Sequence, residues 1–349
     1  MHHEPEDRVL KNQREQFDQM DRYFSQLIEQ AAHTRLRRWR RDYSSIEAYR
    51  KSVAVNRKHF VDMLSVIQEE RMPLDPEIET LAEEEKYSVR RVRLKVAPEV
   101  EAYGIMLIPR GAAGRLPAVI AQHGFAGSPE TVTGLLKKED EYHRFGARLA
   151  ERGYIVFAPR VMNNAKDRTF LAHKAWLVGK RLIGLEVWKI MRVLDYLWLL
   201  PEVDRAHIGM AGLSQGGLTT LYAAACDERI AAAVVSGYFN LRTSKLAVPS
   251  PHYTAYIETL EDDKFVFDLL NEFSDSDLAS LICPRPLFIE AGARDKVCYI
   301  EDVRKEFHLA RDHYNRLAIG ERIQLGVHDG AHAFHGVESF DFLDKWLKM

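Results

Sequence analysis

The stretch Gly212-Leu213-Ser214-Gln215-Gly216-Gly217 limits what this chain can fold into more than any other. It directly follows an apolar run at 208–211 that reads as a buried strand, and it leads into a helical pattern at 218–226. A strand that becomes a helix within so few residues holds the residue at the bend in strained backbone, and only glycine on both flanks lets neighbouring chains approach. Gly212 and Gly216 meet that need. The helix beginning there aims unpaired N–H groups and its positive dipole end at the serine, which favours negative charge developing beside it. A lone G-x-S-x-G arises often by chance as a small-residue packing turn, but with strand and helix both in place the pattern is a nucleophile elbow. Ser214 is then the nucleophile and the Gln215 N–H one oxyanion donor.

Around this bend the chain alternates. Apolar runs at 117–121, 154–158, 231–235, 286–289 and 323–327 are of buried parallel-strand type, with helical stretches such as 142–152 and 185–199 between them. The order predicts an α/β fold, a mostly parallel twisted sheet with helices on both faces. Two β-rich runs at 87–96 and 102–109 precede it and suggest an antiparallel start. Residues up to about 70 read as helix: Phe17, Met20, Phe24, Leu27 and Ile28 recur at helical spacing. Ser44 with Glu47 forms a capping box before a second stretch carrying Val53, Phe60, Leu64 and Ile67 on one face. The expected organisation is an N-terminal helical segment at 1–80 and a catalytic domain at 81–349. A cap-like insertion at 239–280, rich in Tyr and Phe, precedes the acid-bearing strand and would roof a pocket. Five arginines between Arg35 and Arg41 read as a solvated helix face.

The second oxyanion donor should come from a loop after an earlier strand. Gln122-His123-Gly124-Phe125 follows 117–121, and the backbone N–H of Phe125 is the candidate, with His123 bracing the loop. The chain order Ser, acid, His places the base after the last strand, where His328, His332 and His335 lie close together. His332 follows Gly330 and Ala331 in a loop and is the first choice; His335 comes second and His328, still at the strand end, third. Asp295, on the loop after 286–289, is the candidate acid, a carboxylate that would fix the histidine tautomer and stabilise imidazolium. Glu290 is the weaker alternative, and Asp302 fits a helix start better.

Composition narrows the partners. With 49 basic against 51 acidic residues the net charge is −2, so no overall field favours nucleic acid or an anionic membrane, and a small-molecule substrate fits better. Cys226, Cys283 and Cys298 show no metal-type spacing and argue against a disulfide framework. No apolar run approaches the roughly 20 residues needed to span a bilayer. The opening Met1-His2-His3-Glu4-Pro5 lacks the apolar core of a secretory signal, so the expected location is cytoplasmic unless a leader was removed.

The elbow, His123-Gly124-Phe125, Pro201-Glu202-Val203-Asp204, Pro284-Arg285-Pro286-Leu287 and Gly330-Ala331-His332-Ala333-Phe334 together resemble the α/β-hydrolase superfamily, over roughly residues 85–349. More narrowly they resemble its dienelactone-hydrolase-like and acetyl xylan esterase-like branch. The resemblance implies a triad of Ser214, His332 and Asp295, an acyl-enzyme, no metal or organic cofactor, and small ester substrates, often acetylated sugars. Dienelactone hydrolases proper carry cysteine where this chain has Ser214, which turns the expectation from lactone opening to ester cleavage. Glucuronoyl esterases place arginine after the serine, where Gln215 stands. Acetyl xylan esterases share Ser-Gln-Gly-Gly but differ at His123-Gly124-Phe125 and His332-Ala333. A peptidase or amidase of prolyl-oligopeptidase type and a non-catalytic binding protein of the same fold are the rival readings. The apolar face of the helical segment must cover the domain core or a second subunit, so a homo-oligomer through that segment is a further expectation.

Overall fold

The computed structural model describes residues 3–66, 72–111, 114–136 and 140–348. Its centre is a nine-stranded sheet in the order β1-β2-β3-β5-β4-β6-β7-β8-β9. The strands are β1 Glu77–Glu83, β2 Tyr87–Ala97, β3 Val100–Pro109, β4 Leu116–Gln122, β5 Ile155–Pro159, β6 Val203–Leu213, β7 Ala232–Ser236, β8 Leu287–Gly292 and β9 Ile323–His328. β1, β2, β3 and β5 pair antiparallel in succession, and β5-β4-β6-β7-β8-β9 pair parallel. This is the α/β fold the sequence predicts. β1 alone had no sequence signal, because an edge strand reading Glu-Ile-Glu-Thr-Leu-Ala-Glu lies largely in solvent and has little apolar pattern to show.

Strand side chains alternate between two cores. Ala118, Ile120, Ile155, Phe157, Ala233 and Val235 pack into one, with helices Leu182–Leu199 and Gln215–Cys226. Val119, Ala121, Val156, Ala158 and Val234 face the other, with helices Phe145–Glu151 and Glu338–Leu347. Runs apolar on both faces are what parallel strands covered by helices require.

The N-terminal segment divides into two unlike helices. In α2, Ile46–Met63, the side chains of Tyr49, Val53 and Phe60 are fully buried, and the Phe60 ring meets Tyr222 and Phe273 edge-on with centroids 5.1 and 4.9 Å apart. The cap is Ser45 rather than Ser44: the Ser45 hydroxyl accepts the Ala48 N–H at 3.0 Å, while the Ser44 N–H is taken by Asp42. Ile67 lies outside the described residues. By contrast α1, Glu6–Leu36, buries only Ala31.

The arginine cluster is a solvated face only in part: Arg37 and Arg40 are exposed, while Arg35, Arg38 and Arg41 have partners. Arg35 donates to the Leu270 carbonyl at 2.7 Å and pairs with Asp277, and Arg41 reaches Asp277 at 2.5 Å and Ser280 at 3.0 Å. Arg38 pairs with Glu272. These residues tie the segment to the insertion between β7 and β8, a contact of high sequence separation that no local pattern reveals. The insertion is itself held by buried charge. Arg242 pairs with Asp275, and Arg168, on helix Ala165–Leu177, bonds Asp263 at 2.7 Å and Glu186 at 2.9 Å. Buried ions persist only when paired and hydrogen-bonded in this way. Among the described residues no helix is long and apolar enough to cross a membrane.

Candidate active site

Ser214 sits between β6 and the helix Gln215–Cys226 with φ 61° and ψ −121°, backbone that a non-glycine residue holds only when its surroundings enforce it. They do so through glycine. A Cβ on Gly216 would overlap the Gln122 carbonyl at the end of β4, one on Gly212 the Gly216 carbonyl, and one on Gly217 would come to 2.6 Å from the Ser236 carbonyl. The Ser214 N–H donates to that Ser236 carbonyl at 2.9 Å, so the bend is also pinned to β7. Ser214 itself remains partly exposed.

The loop after β4 lies against the bend. A Cβ on Gly124 would stand 2.9 Å from Ser214 Cβ and 3.2 Å from the Gln215 nitrogen, which places the Gly124-Phe125 backbone beside the first turn of the helix. Among the described residues, neither the Phe125 nor the Gln215 N–H has a hydrogen-bond partner. Two side chains shape this loop. Tyr142 accepts the Gly124 N–H at 3.1 Å and donates to the Phe125 carbonyl at 2.6 Å. His123, fully buried, donates from Nδ1 to the Gly124 carbonyl at 2.8 Å and accepts the Val161 N–H on Nε2 at 3.3 Å, an arrangement that defines its tautomer. Burial holds its pKa down to about 4, so the ring is neutral and braces the loop. The Phe125 ring is flanked by cations, Lys264 Nζ at 4.9 Å and the Arg168 guanidinium at 5.6 Å from its centroid.

Of the three C-terminal histidines, the one beside Asp295 is His332. Its Nδ1 lies 2.7 Å from Asp295 Oδ2, and the other carboxylate oxygen accepts the Val297 and Cys298 N–H groups at 2.6 and 3.2 Å. The Asp295 side chain is almost wholly buried and that of His332 about one quarter exposed, with 1% and 23% of their surfaces accessible. The His332 ring rests on Gly237, the first residue after β7: a Cβ there would come to 2.8 Å from its Cε1 and 2.9 Å from the Leu213 side chain. Gly237, with φ +58°, thus brings the imidazole alongside the residue that precedes Ser214. The Ser214 hydroxyl has no hydrogen bond among the described residues, as is common before substrate tightens such contacts.

His335 and His328 stand elsewhere, stacked on each other at 5.0 Å. Glu290, the alternative acid, is buried and accepts four hydrogen bonds, from Ser236 Oγ and the His335 N–H at 2.9 Å, the Gly336 N–H at 3.0 Å and Ser339 Oγ at 2.9 Å. It clamps the histidine loop to the sheet rather than meeting a histidine ring. Phe334 anchors the same loop, stacked on Phe145 at 4.0 Å, and Gly292 lets it close in, since a Cβ there would overlap the Ala331 carbonyl. Sequence reasoning missed Tyr142, Gly237 and the clamping role of Glu290. Gly237 could have been suspected from its place at a strand end, but nothing local marks Tyr142.

A parallel sheet with a serine at a strand-to-helix bend and a histidine–carboxylate pair on loops from the same sheet edge defines the chain as an α/β-hydrolase. Its residues 103–275 match the profile of the dienelactone hydrolase family, so the chain carries a domain of that family. The chain is accordingly an enzyme of the hydrolase and esterase class. It is 26% identical over 264 residues to YtaP of Bacillus subtilis (strain 168), a protein whose name assigns it provisionally to the hydrolases; the match covers 72% of this chain and 84% of that one. Among solved structures, a Bacteroides fragilis NCTC 9343 protein named provisionally as an acetyl xylan esterase superposes with TM-score 0.67 at 16% identity, covering 85% of this chain and 81% of its own. A glucuronoyl esterase from Solibacter usitatus superposes with TM-score 0.62 at 18% identity, covering 85% and 93%. At these identities the likeness is one of fold.

Proposed function

We propose that the chain is a serine carboxylic-ester hydrolase acting on small esters through an acyl-enzyme. The observation that supports this reading is that Gly237 lies against both the His332 ring, which meets Asp295, and Leu213, the residue before the strained Ser214, while Gly124 lies against Ser214 itself. Ser214 Oγ attacks the ester carbonyl carbon while His332 Nε2 takes its proton, and Asp295 holds Nδ1–H and stabilises the imidazolium. The oxygen that becomes negative lies toward the Gln215 and Phe125 N–H groups, whose positions are set before substrate arrives. His332 returns the proton to the departing alcohol, and water then attacks the acyl-enzyme by the same steps in reverse order. Acetyl esters of sugars are the substrates we favour; acetyl xylan esterases among the solved structures share the fold, and Lys264 of the insertion lies over the Phe125 ring.

Hydrolysis of p-nitrophenyl acetate by the purified chain tests the chemistry, followed by acetylated xylo-oligosaccharides for the substrate class. Ser214→Ala is expected to lose at least about 10^4-fold in kcat, His332→Ala a comparable amount and His335→Ala less than about tenfold. Undiminished turnover by Ser214→Ala, or a heavier loss at His335 than at His332, would refute the assignment.

A further inference from the structure

We propose that helix α1 pairs antiparallel with α1 of a second copy of this chain. The helix touches its own domain through Leu269–Glu272 and Arg242–Ala247, with Ala31 buried and Arg35 bonded to Leu270. Among the described residues, the polar contacts of residues 6–30 stay within the helix and its N-terminal flank. About 25 residues therefore run out from the domain, nearly 40 Å at ~1.5 Å per residue.

That outer part carries an apolar stripe with nothing against it. Leu10, Phe17, Met20, Phe24 and Leu27 are each 45–58% exposed, and their spacing of 7, 3, 4 and 3 continues by 4 to the buried Ala31. This is the a/d pattern of a coiled coil, with Gln13 the polar d residue and the stripe continuous with the face already docked. A 31-residue helix with an unpaired heptad seam needs an external partner. With the flanking Val9 and Tyr23 it offers on the order of 600 Å² per copy, so two copies would bury about 1,200 Å², enough for a specific interface.

Charge selects the partner and its direction. Residues 6–30 hold Arg8, Lys11, Arg14 and Arg22 against Glu6, Asp7, Glu15, Asp18, Asp21 and Glu29, without the basic face that an anionic lipid surface would attract. In an antiparallel pair with Phe17 opposite Met20 and Leu10 opposite Leu27 of the second copy, the e positions Arg14 and Asp21 meet across the seam twice. A parallel pair would set Asp21 against Gln16 and Arg14 against Val9, with no complementary charge.

Sedimentation equilibrium of the full chain, from low micromolar to on the order of 100 µM, is the test. The expected mass is twice the 40.2 kDa of one chain. Phe17→Glu with Met20→Glu should return it to one chain while ester hydrolysis under dilute conditions is unchanged, which shows the domain intact. Arg14→Asp should raise the dimer dissociation constant at least about tenfold, and adding Asp21→Arg should restore it. A single-chain mass throughout, a dimer indifferent to the Phe17/Met20 pair, or a charge exchange that fails to restore association would each overturn the proposal.

Discussion

At the elbow a methyl group added to Gly212 or Gly216 would strike backbone, whereas along the outer part of α1 large side chains stand in solvent with nothing against them. Both are built around a helix, yet they are determined differently. The helix behind Ser214 begins where carbonyls from β4 and β7 leave it no other place, so its geometry belongs to several segments at once. Helix α1 is held by its own hydrogen bonds and by i,i+4 pairs such as Arg14–Asp18 at 3.0 Å. A site that must hold an unfavourable backbone conformation draws on the whole domain for it; a helix that only presents a surface can do without.

Substitutions can break this contrast. The largest effect is expected from Gly216→Ala, whose Cβ would meet the Gln122 carbonyl: a loss of at least about 3 kcal/mol in denaturant unfolding, together with activity. Unfolding unaltered from the parent would mean that the close approach of β4 to the elbow does not constrain the bend. Next comes the loop brace. His123 has a folded pKa of about 4 against an ordinary 6.5, so its contribution to stability is complete above pH 6.5 and is lost as pH falls toward 4. The whole effect is about 3 kcal/mol. Glu306, which burial raises to about 7, works in the opposite sense by losing its contribution as pH rises from 4.5. The informative quantity is therefore the difference between His123→Asn and the parent, which should shrink on acidification from pH 7 to pH 4.5. A constant difference would place His123 outside the acid response. The smallest effect is expected on α1: Phe24→Ser, measured at a dilution where single chains prevail, should alter unfolding by less than about 0.5 kcal/mol. A loss of 2 kcal/mol or more would show that the ring packs on its own domain, and the contrast would fail.

Much of the architecture was legible because its signals are local. Continuous apolar runs separated by helical stretches announce a parallel sheet, and the turn around Ser214 has its glycines written beside it. The order of strand, loop and candidate residue likewise pointed to Asp295 and His332, which the structure brings within 2.7 Å of each other. What misled were residues whose partners are remote in sequence. Arg35, Arg38 and Arg41 read as part of a solvated face because Asp277 and Glu272 lie more than 200 residues away. Glu290 read as a second choice of acid because its four donors come from β7, the last loop and the helix after it.

By itself the sequence determined the class of fold, the serine at the bend and the small set of residues from which its partners must come, since backbone strain, strand burial and helix periodicity act over a few neighbouring residues. Only the tertiary structure decided which histidine lies against Asp295, that Glu290 clamps the loop, and which of the two N-terminal helices enters the core. Those choices depend on which groups are buried together, and burial is a property of the packed chain rather than of any stretch of it.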